Sequence, residues 1–200
     1  LDKIIIACSP DEPQPKPADT RRVITTAGHY EFLKIAEGCS KRCTYCIIPY
    51  VRGSYKSFPM EDLVAEADYL ASNGVKELII VAQETTIYGQ DLYGYDALPE
   101  LLTKLCRIDG IQWIRLLYAY PEDITDELLE VMAKEDKIVN YIDMPIQHSS
   151  DRILKRMGRR TSHSDLVNII EKVRTVLPGV AIRTSLISGF PGESEEDHQE

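Results

Sequence analysis

Three cysteines in one short loop constrain this chain more than any other feature. Cys39, Cys43 and Cys46 stand in Glu37-Gly38-Cys39-Ser40-Lys41-Arg42-Cys43-Thr44-Tyr45-Cys46, a C-x3-C-x2-C spacing. A structural zinc site closes with four protein ligands, commonly two paired sets. No second C-x-x-C exists, and the nearest histidine, His29, lies ten residues before Cys39. A cubic iron–sulfur cluster normally takes four cysteines, so three thiolates would leave one iron open to an outside ligand. The loop reads as an incomplete soft-ligand site with chemistry at its open position. Three buried or zinc-bound cysteines are the competing reading.

The other two cysteines are spread out. Cys106 falls in the helical pattern Leu101-Leu102-Thr103-Lys104-Leu105-Cys106 and reads as core; Cys8 lies in an N-terminal segment with no assigned role. An odd count of five, three of them clustered, is not a disulfide framework, and a reducing cytoplasm fits thiolates kept available to metal. No run of eighteen apolar residues and no signal pattern occurs, so no membrane association is expected. The net charge of −9, from 32 acids against 23 bases, argues against an extended nucleic-acid surface and suits a basic protein partner.

Residues 9–20 carry four prolines and read as an extended spacer, which implies an upstream domain. At the other end, Ser194 with Glu195, Glu196 and Asp197 reads as a helix start close to the last residue, so the chain is expected to be part of a longer protein. Between them, strands are expected at residues 30–36, 76–82, 113–118, 138–144 and 180–187. Helices are expected at 59–73, 98–108, 126–133, 151–157 and 164–177. In the first of these helices Pro59 suits the first position, Glu61 and Asp62 the first turn, and Gly74 the stop. Leu78-Ile79-Ile80-Val81 is the apolar run of a buried parallel strand. Repeated strand–helix units predict an α/β domain with a parallel sheet and right-handed crossovers. Five strands are visible, and a sixth could lie past Glu200.

The cysteine spacing, with the aromatic Tyr45 just before Cys46, resembles the signature of the radical S-adenosylmethionine (SAM) enzymes. The resemblance implies a partial (β/α)6 TIM-type barrel, here truncated after strand five. Residues 1–29 would be linker and lead-in, and 30–200 the radical SAM core. It also implies a 4Fe–4S cluster on Cys39, Cys43 and Cys46 whose open iron is chelated by the amino and carboxylate groups of SAM. In parallel barrels the chemistry sits at the C-terminal strand ends, which is where the cysteine loop falls.

The other strand ends supply further candidates. After strand two, Gln83 and Glu84 are candidates to hold the SAM amino group, as the superfamily does there; a solvated loop with a glycine turn is the alternative. After strand three, Tyr118 and Tyr120 either line a substrate pocket or pack beneath the loop. After strand four, Gln147 and Ser149 are candidates for cofactor contact, while Ser149 or Ser150 also suits a helix cap. On strand five, Arg183 needs a partner, either a cofactor carboxylate or a structural acid on a neighbouring strand. Gly189-Phe190-Pro191-Gly192-Glu193 follows as a turn that superfamily members run along SAM. Arg152, Lys155, Arg156 and Arg159 fall at i, i+3, i+4 and i+7, a charged helix face that is either solvated or faces phosphate or an acidic partner. No P-loop, serine elbow or H-E-x-x-H motif is present.

Within the superfamily, residues 37–53 and 189–193 are similar to the methylthiotransferases. Gln83-Glu84-Thr85, Tyr118-Ala119-Tyr120-Pro121 and Tyr141-Ile142-Asp143-Met144-Pro145-Ile146-Gln147-His148 resemble the branch acting on an aspartate of the twelfth small-subunit ribosomal protein rather than the transfer-RNA branch. That resemblance implies reductive cleavage of SAM to a 5′-deoxyadenosyl radical, hydrogen abstraction from the aspartate β-carbon, and insertion of sulfur plus a methyl from a second SAM. It further implies a second 4Fe–4S cluster on an N-terminal domain outside this chain, a downstream RNA-binding-type domain, and a reductant protein such as flavodoxin or ferredoxin.

Alanine at any one of Cys39, Cys43 or Cys46 should abolish iron uptake in anaerobic reconstitution, while Cys8→Ala and Cys106→Ala should leave it intact. Iron and sulfide analysis of the five variants checks this, and iron retained by the triple variant would refute the site.

Overall fold

In a computed structural model of the chain, which describes residues 22, 24 and 26–200, the parallel strands follow one another in chain order. Cys8 and the proline-rich segment lie outside the described residues. The first half comprises β1 (Tyr30–Lys34), β2 (Ala36–Glu37), α1 (Ile48–Arg52), β3 (Lys56–Ser57), α2 (Met60–Ser72) and β4 (Glu77–Val81). Then come α3 (Gln90–Tyr93), α4 (Leu98–Cys106), β5 (Trp113–Leu116), a 3₁₀ turn (Pro121–Asp123) and α5 (Asp126–Lys134). The last third holds β6 (Tyr141–Asp143), α6 (Asp151–Arg156), α7 (His163–Val176), β7 (Ala181–Arg183) and α8 (Glu195–Gln199).

β1 pairs with β4, β4 with β5, and β6 with β7, all parallel. A parallel bridge from Ile114 to Ile138 joins β5 to the segment entering β6. The five parallel strands therefore lie side by side in sequence order. A doubly wound sheet would reverse direction at a switch point, whereas sequential order is that of a (β/α) barrel wall. This is the expected α/β class.

One face of the sheet is covered by helices because the helical stripes match it. α2 buries Met60, Leu63, Ala67 and Leu70, and α4 buries Leu98, Leu101, Leu102 and Leu105, each at helical spacing. They join a core with Leu33, Leu78, Ile80, Ile114, Leu116 and Ile142 from the strands. Cys106 belongs to this core, and burial pushes its thiol up to about 11, so it is an inert core residue as expected. The opposite strand face carries Lys34 and Val81, which line a cavity. Among the described residues no helix is long and apolar enough to cross a membrane.

The strand ends differ from the sequence pattern for local reasons. The first strand leaves the ladder after Lys34, and Ala36–Glu37 pairs antiparallel with Lys56–Ser57 instead. The last strand stops at Arg183 because the Thr184 hydroxyl enters the ladder, donating to Met144 O (2.8 Å) and accepting from Ile146 N (3.2 Å). The ladder resumes as a bridge from Gln147 to Leu186. Pro59 is the N-cap of α2 rather than its first residue, and Gly74, at φ 95°, follows its C-cap. The helix start at Ser194 forms with a full capping box to Asp197.

The charged helix face is corrected. α6 ends at Arg156, Gly158 turns the chain at φ 73°, and Arg159 folds back into the protein with its side chain 1% exposed. Arg152 is engaged with Asp197 and with Gly192 O (2.9 Å). The periodicity was extrapolated past the helix end, so two of the four side chains are structural.

Candidate cofactor site at the strand ends

The loop that carries the cysteines has little regular structure, so its shape comes from specific contacts. Gly38 adopts φ 74°, and a Cβ there would stand 2.4 Å from the Ser54 carbonyl oxygen, which excludes other residues. That close approach lets Cys39 N donate to Gly53 O (3.1 Å) and closes the loop at its base. At the far side Thr44 reaches the end of α6: its N donates to Met157 O (2.9 Å) and its Oγ1 to Arg156 O (3.0 Å). These are the carbonyls that a helix C-terminus leaves unpaired.

Beneath the loop lies a partly buried ion cluster. Lys41 pairs with Glu84 (3.3 Å), Glu122 (3.0 Å) and Asp123, and sits 4.3 Å from the centre of the Tyr120 ring. Burial opposes the Lys41 charge, but the three carboxylates outweigh it and raise its pKa. Burial pushes Glu84 the other way, up to about 7, against the pull of Lys41 and a 2.6 Å hydrogen bond from Thr86 Oγ1.

The loop and the strand ends enclose a cavity of about 490 Å³. Cys39, Tyr45 and Cys46 line it from the loop, and Gln83, Tyr118, Tyr120 and Gln147 from the ends of β4, β5 and β6. Cys43 is buried with its Sγ 4.0 Å from Tyr120 Oη. Two wall residues hold strained backbones, Tyr118 at φ 58° and Gln147 at φ 71°. Both are pinned: Tyr118 N donates to Asp143 Oδ2 (3.2 Å), and Gln147 bonds Ser185 O and Ile187 N. Gln83 presents a buried Oε1 with no hydrogen-bond partner. Among the described residues no three His, Cys, Asp or Glu side chains converge as ligands of one ion. Two of the three thiols line the cavity and Cys43 lies buried beside Tyr120, a soft donor set whose chemistry fits an iron–sulfur cluster.

The model of the Radical SAM superfamily matches residues 33–200. This chain belongs to the radical SAM superfamily. It is 65% identical over 180 residues to ribosomal protein uS12 methylthiotransferase RimO of Lachnoclostridium phytofermentans, and 52% over 182 residues to that of Clostridioides difficile. These alignments cover 90% and 91% of this chain but 41% of each relative, so the chain spans about two fifths of their length. Among solved structures, the radical SAM methyltransferase TsrM of Kitasatospora setae aligns with TM-score 0.67 at 17% identity, over 85% of this chain and 32% of that one. The cobalamin-dependent radical enzyme OxsB gives 0.61 at 18%, over 78% and 23%. These structural likenesses bear on the fold.

Against the radical SAM expectation, the candidate residues divide. Cys39, Cys46, Gln83 and Gln147 meet at the cavity, with Tyr118 and Tyr120 in its walls. Glu84 does not line it; the side chain is fully buried against Lys41. Arg183 is bound to Asp143 (2.7 Å), the structural acid that was the alternative for it. Ser149 lines a separate hollow of about 110 Å³, and Ser150, as N-cap, donates its hydroxyl to Asp197 (2.7 Å). Lys41 is not among the candidates that the sequence pattern supplies, although its place between two of the loop cysteines and the acid pair Glu122-Asp123 after strand three were available signals.

Glu84 gives a pH prediction for the cluster-free chain. A carboxyl whose folded pKa is raised holds its proton more tightly when folded. Its share of stability is full below the unfolded value near 4.5 and is lost as pH rises through about 7. Wild type should lose up to about 3 kcal/mol relative to Glu84→Gln across that window. Urea midpoints from pH 4.5 to 8 measure it, and parallel profiles would refute it.

Proposed function

We propose that this chain is the SAM-cleaving core of a methylthiotransferase acting on the β-carbon of an aspartate in ribosomal protein uS12. The observation that carries the reading is the 65% identity to a curated uS12 methylthiotransferase over nine tenths of the chain. In this reading Cys39, Cys43 and Cys46 hold a 4Fe–4S cluster with one iron left open, and SAM occupies the 490 Å³ cavity beside them. When bound, these groups supply the 5′-deoxyadenosyl radical that takes the hydrogen from the substrate carbon.

The chain's own residues bind, orient and exclude water. The unpartnered Oε1 of Gln83 accepts a hydrogen bond from the SAM ammonium, and the Gln147 carboxamide is fixed at the facing wall by its pinned backbone. Tyr45, Ile48, Val81, Ala82, Tyr118 and Pro145 make most of the remaining lining apolar, which keeps the reactive centre from water. Glu84 acts through Lys41 on the cysteine loop and does not touch the cofactor. Ser149 and Arg183 act at a distance, shaping the β6 and β7 ends. The sulfur source is a second cluster on an upstream domain, the methyl comes from a second SAM, and the electron from a low-potential carrier such as flavodoxin or ferredoxin.

Gln83→Leu should weaken SAM binding about tenfold or more, the loss expected for a hydrogen bond to a charged group, with iron content unchanged. Equilibrium dialysis with SAM on reconstituted protein measures it; unaltered affinity returns Gln83 to a structural role.

The function is tested by mass analysis of uS12 from cells lacking the gene, which should lose the methylthio mass on one aspartate. Transfer RNA losing a methylthioadenosine instead would favour the nucleic-acid branch. This chain alone, reduced and given SAM, should form 5′-deoxyadenosine slowly and no methylthio product. Beyond the loop it has only Cys8 and Cys106, too few to hold a sulfur-donating cluster.

A further inference from the structure

Arg159 is a buried cation whose partners account for only part of it. Its side chain is 1% exposed. Its contacts run through Nη2, which lies 3.6 Å from Glu122 Oε2 and donates to Pro145 O at 3.4 Å. Nε and Nη1 are buried with no hydrogen-bond partner. The guanidinium lies 4.4 Å from the centre of the Tyr120 ring, and the hydroxyl of that ring is 4.0 Å from Cys43 Sγ. Tyr120, Tyr45 and Cys43 are the groups besides Glu122 that bear on its charge.

An arginine cannot discharge itself by losing a proton, and a buried N–H left unmade costs its full desolvation. Glu122 is also shared, since its Oε1 takes Lys41 at 3.0 Å. Arg159 thus shares one carboxylate with Lys41 and keeps two buried donors unused, beside the tyrosine ring whose hydroxyl reaches Cys43. A cluster with its thiolates is anionic and becomes more so by one charge on reduction. Hydrogen bonds to its sulfurs and nearby charge are the terms by which a protein sets its potential.

We propose that Arg159 sets the redox poise of the group held by Cys39, Cys43 and Cys46, its Nε and Nη1 donating to sulfur on the Cys43 side and favouring the one-electron-reduced state. This rests on the reading that the three cysteines hold a cluster. Arg159 acts through Cys43 and touches neither substrate nor SAM. The step is a single electron taken from an added low-potential donor, with no bond or proton exchanged.

The test is a dithionite titration, with low-potential viologen mediators, of this chain reconstituted with ferrous iron and sulfide. Arg159→Met keeps the apolar stem and removes charge and donors. It should lower the equilibrium constant for reduction at least tenfold, about 59 mV more negative for one electron. Arg159→Lys restores the charge and should recover at least half of that shift. Should Arg159→Met take up too little iron to titrate, Arg159→Gln, neutral but still polar beside Glu122, replaces it under the same criterion. A neutral variant with wild-type iron and an unmoved potential overturns the proposal, as does a lysine variant that titrates like the neutral one. Failure of the wild-type chain to take up iron would instead overturn the cluster reading, so the two failures are separable.

Discussion

The cysteine loop depends on one lysine. Lys41 stands between two of the three cysteines and holds carboxylates from the ends of two different strands, Glu84 after β4 and Glu122 and Asp123 after β5. A loop with little regular structure would otherwise sample many shapes, and fixing each residue costs about 1–2 kcal/mol of backbone entropy. Buried ion pairs rarely add net stability over apolar packing, because desolvation offsets the attraction. Their value here is directional. Only one placement of the loop brings the Lys41 ammonium among three carboxylates and over the Tyr120 ring. The same placement turns Cys39 and Cys46 to the cavity.

How much of this was legible follows from where each interaction lies along the chain. The parallel strands read clearly because a strand covered by helices is an apolar run, as in residues 78–81, and helix stripes repeat locally. The strand ends did not, because what ends them is remote. Ala36–Glu37 is drawn off by Lys56–Ser57, and the β6–β7 ladder is broken by the Thr184 hydroxyl. The cysteines were legible since their spacing is itself the signal. For Glu84 and Arg183 the strand ends are legible but the ion-pair partners are not, because Lys41 and Asp143 lie about 40 residues away from them. Arg159 was misread because an arginine at the right helical interval looks the same whether or not the helix reaches it.

Strain in the cavity wall points the same way. Tyr118 and Gln147 are non-glycine residues at positive φ, on the ends of adjacent strands, and both line the cavity. Such conformations cost about 1–3 kcal/mol each and persist only where neighbours over-determine them. Asp143 ties the Tyr118 wall to the neighbouring strand: its Oδ2 accepts from Tyr118 N, and its Oδ1 takes Arg183. The Arg183–Asp143 pair, which looked like a rival to cofactor binding, therefore helps to hold a cavity wall in its strained form.

Burial of the loop also governs how a metal group can enter it. Cys39 is buried, and burial pushes its thiol up, with the charges of Glu84, Cys43 and Cys46 adding to the effect against a backbone hydrogen bond. A thiol raised in this way stays protonated until a metal displaces the proton, so cluster uptake must release protons and gains from higher pH. Of the acids that anchor Lys41, Glu84 is the one that acts on Cys39, so the contact that fixes the loop also works against thiolate formation there. The two cations divide the task. Lys41 is held among three acids and fixes position; Arg159 shares Glu122 with it and keeps two buried donors unpaired, free for the sulfur that the proposal gives them.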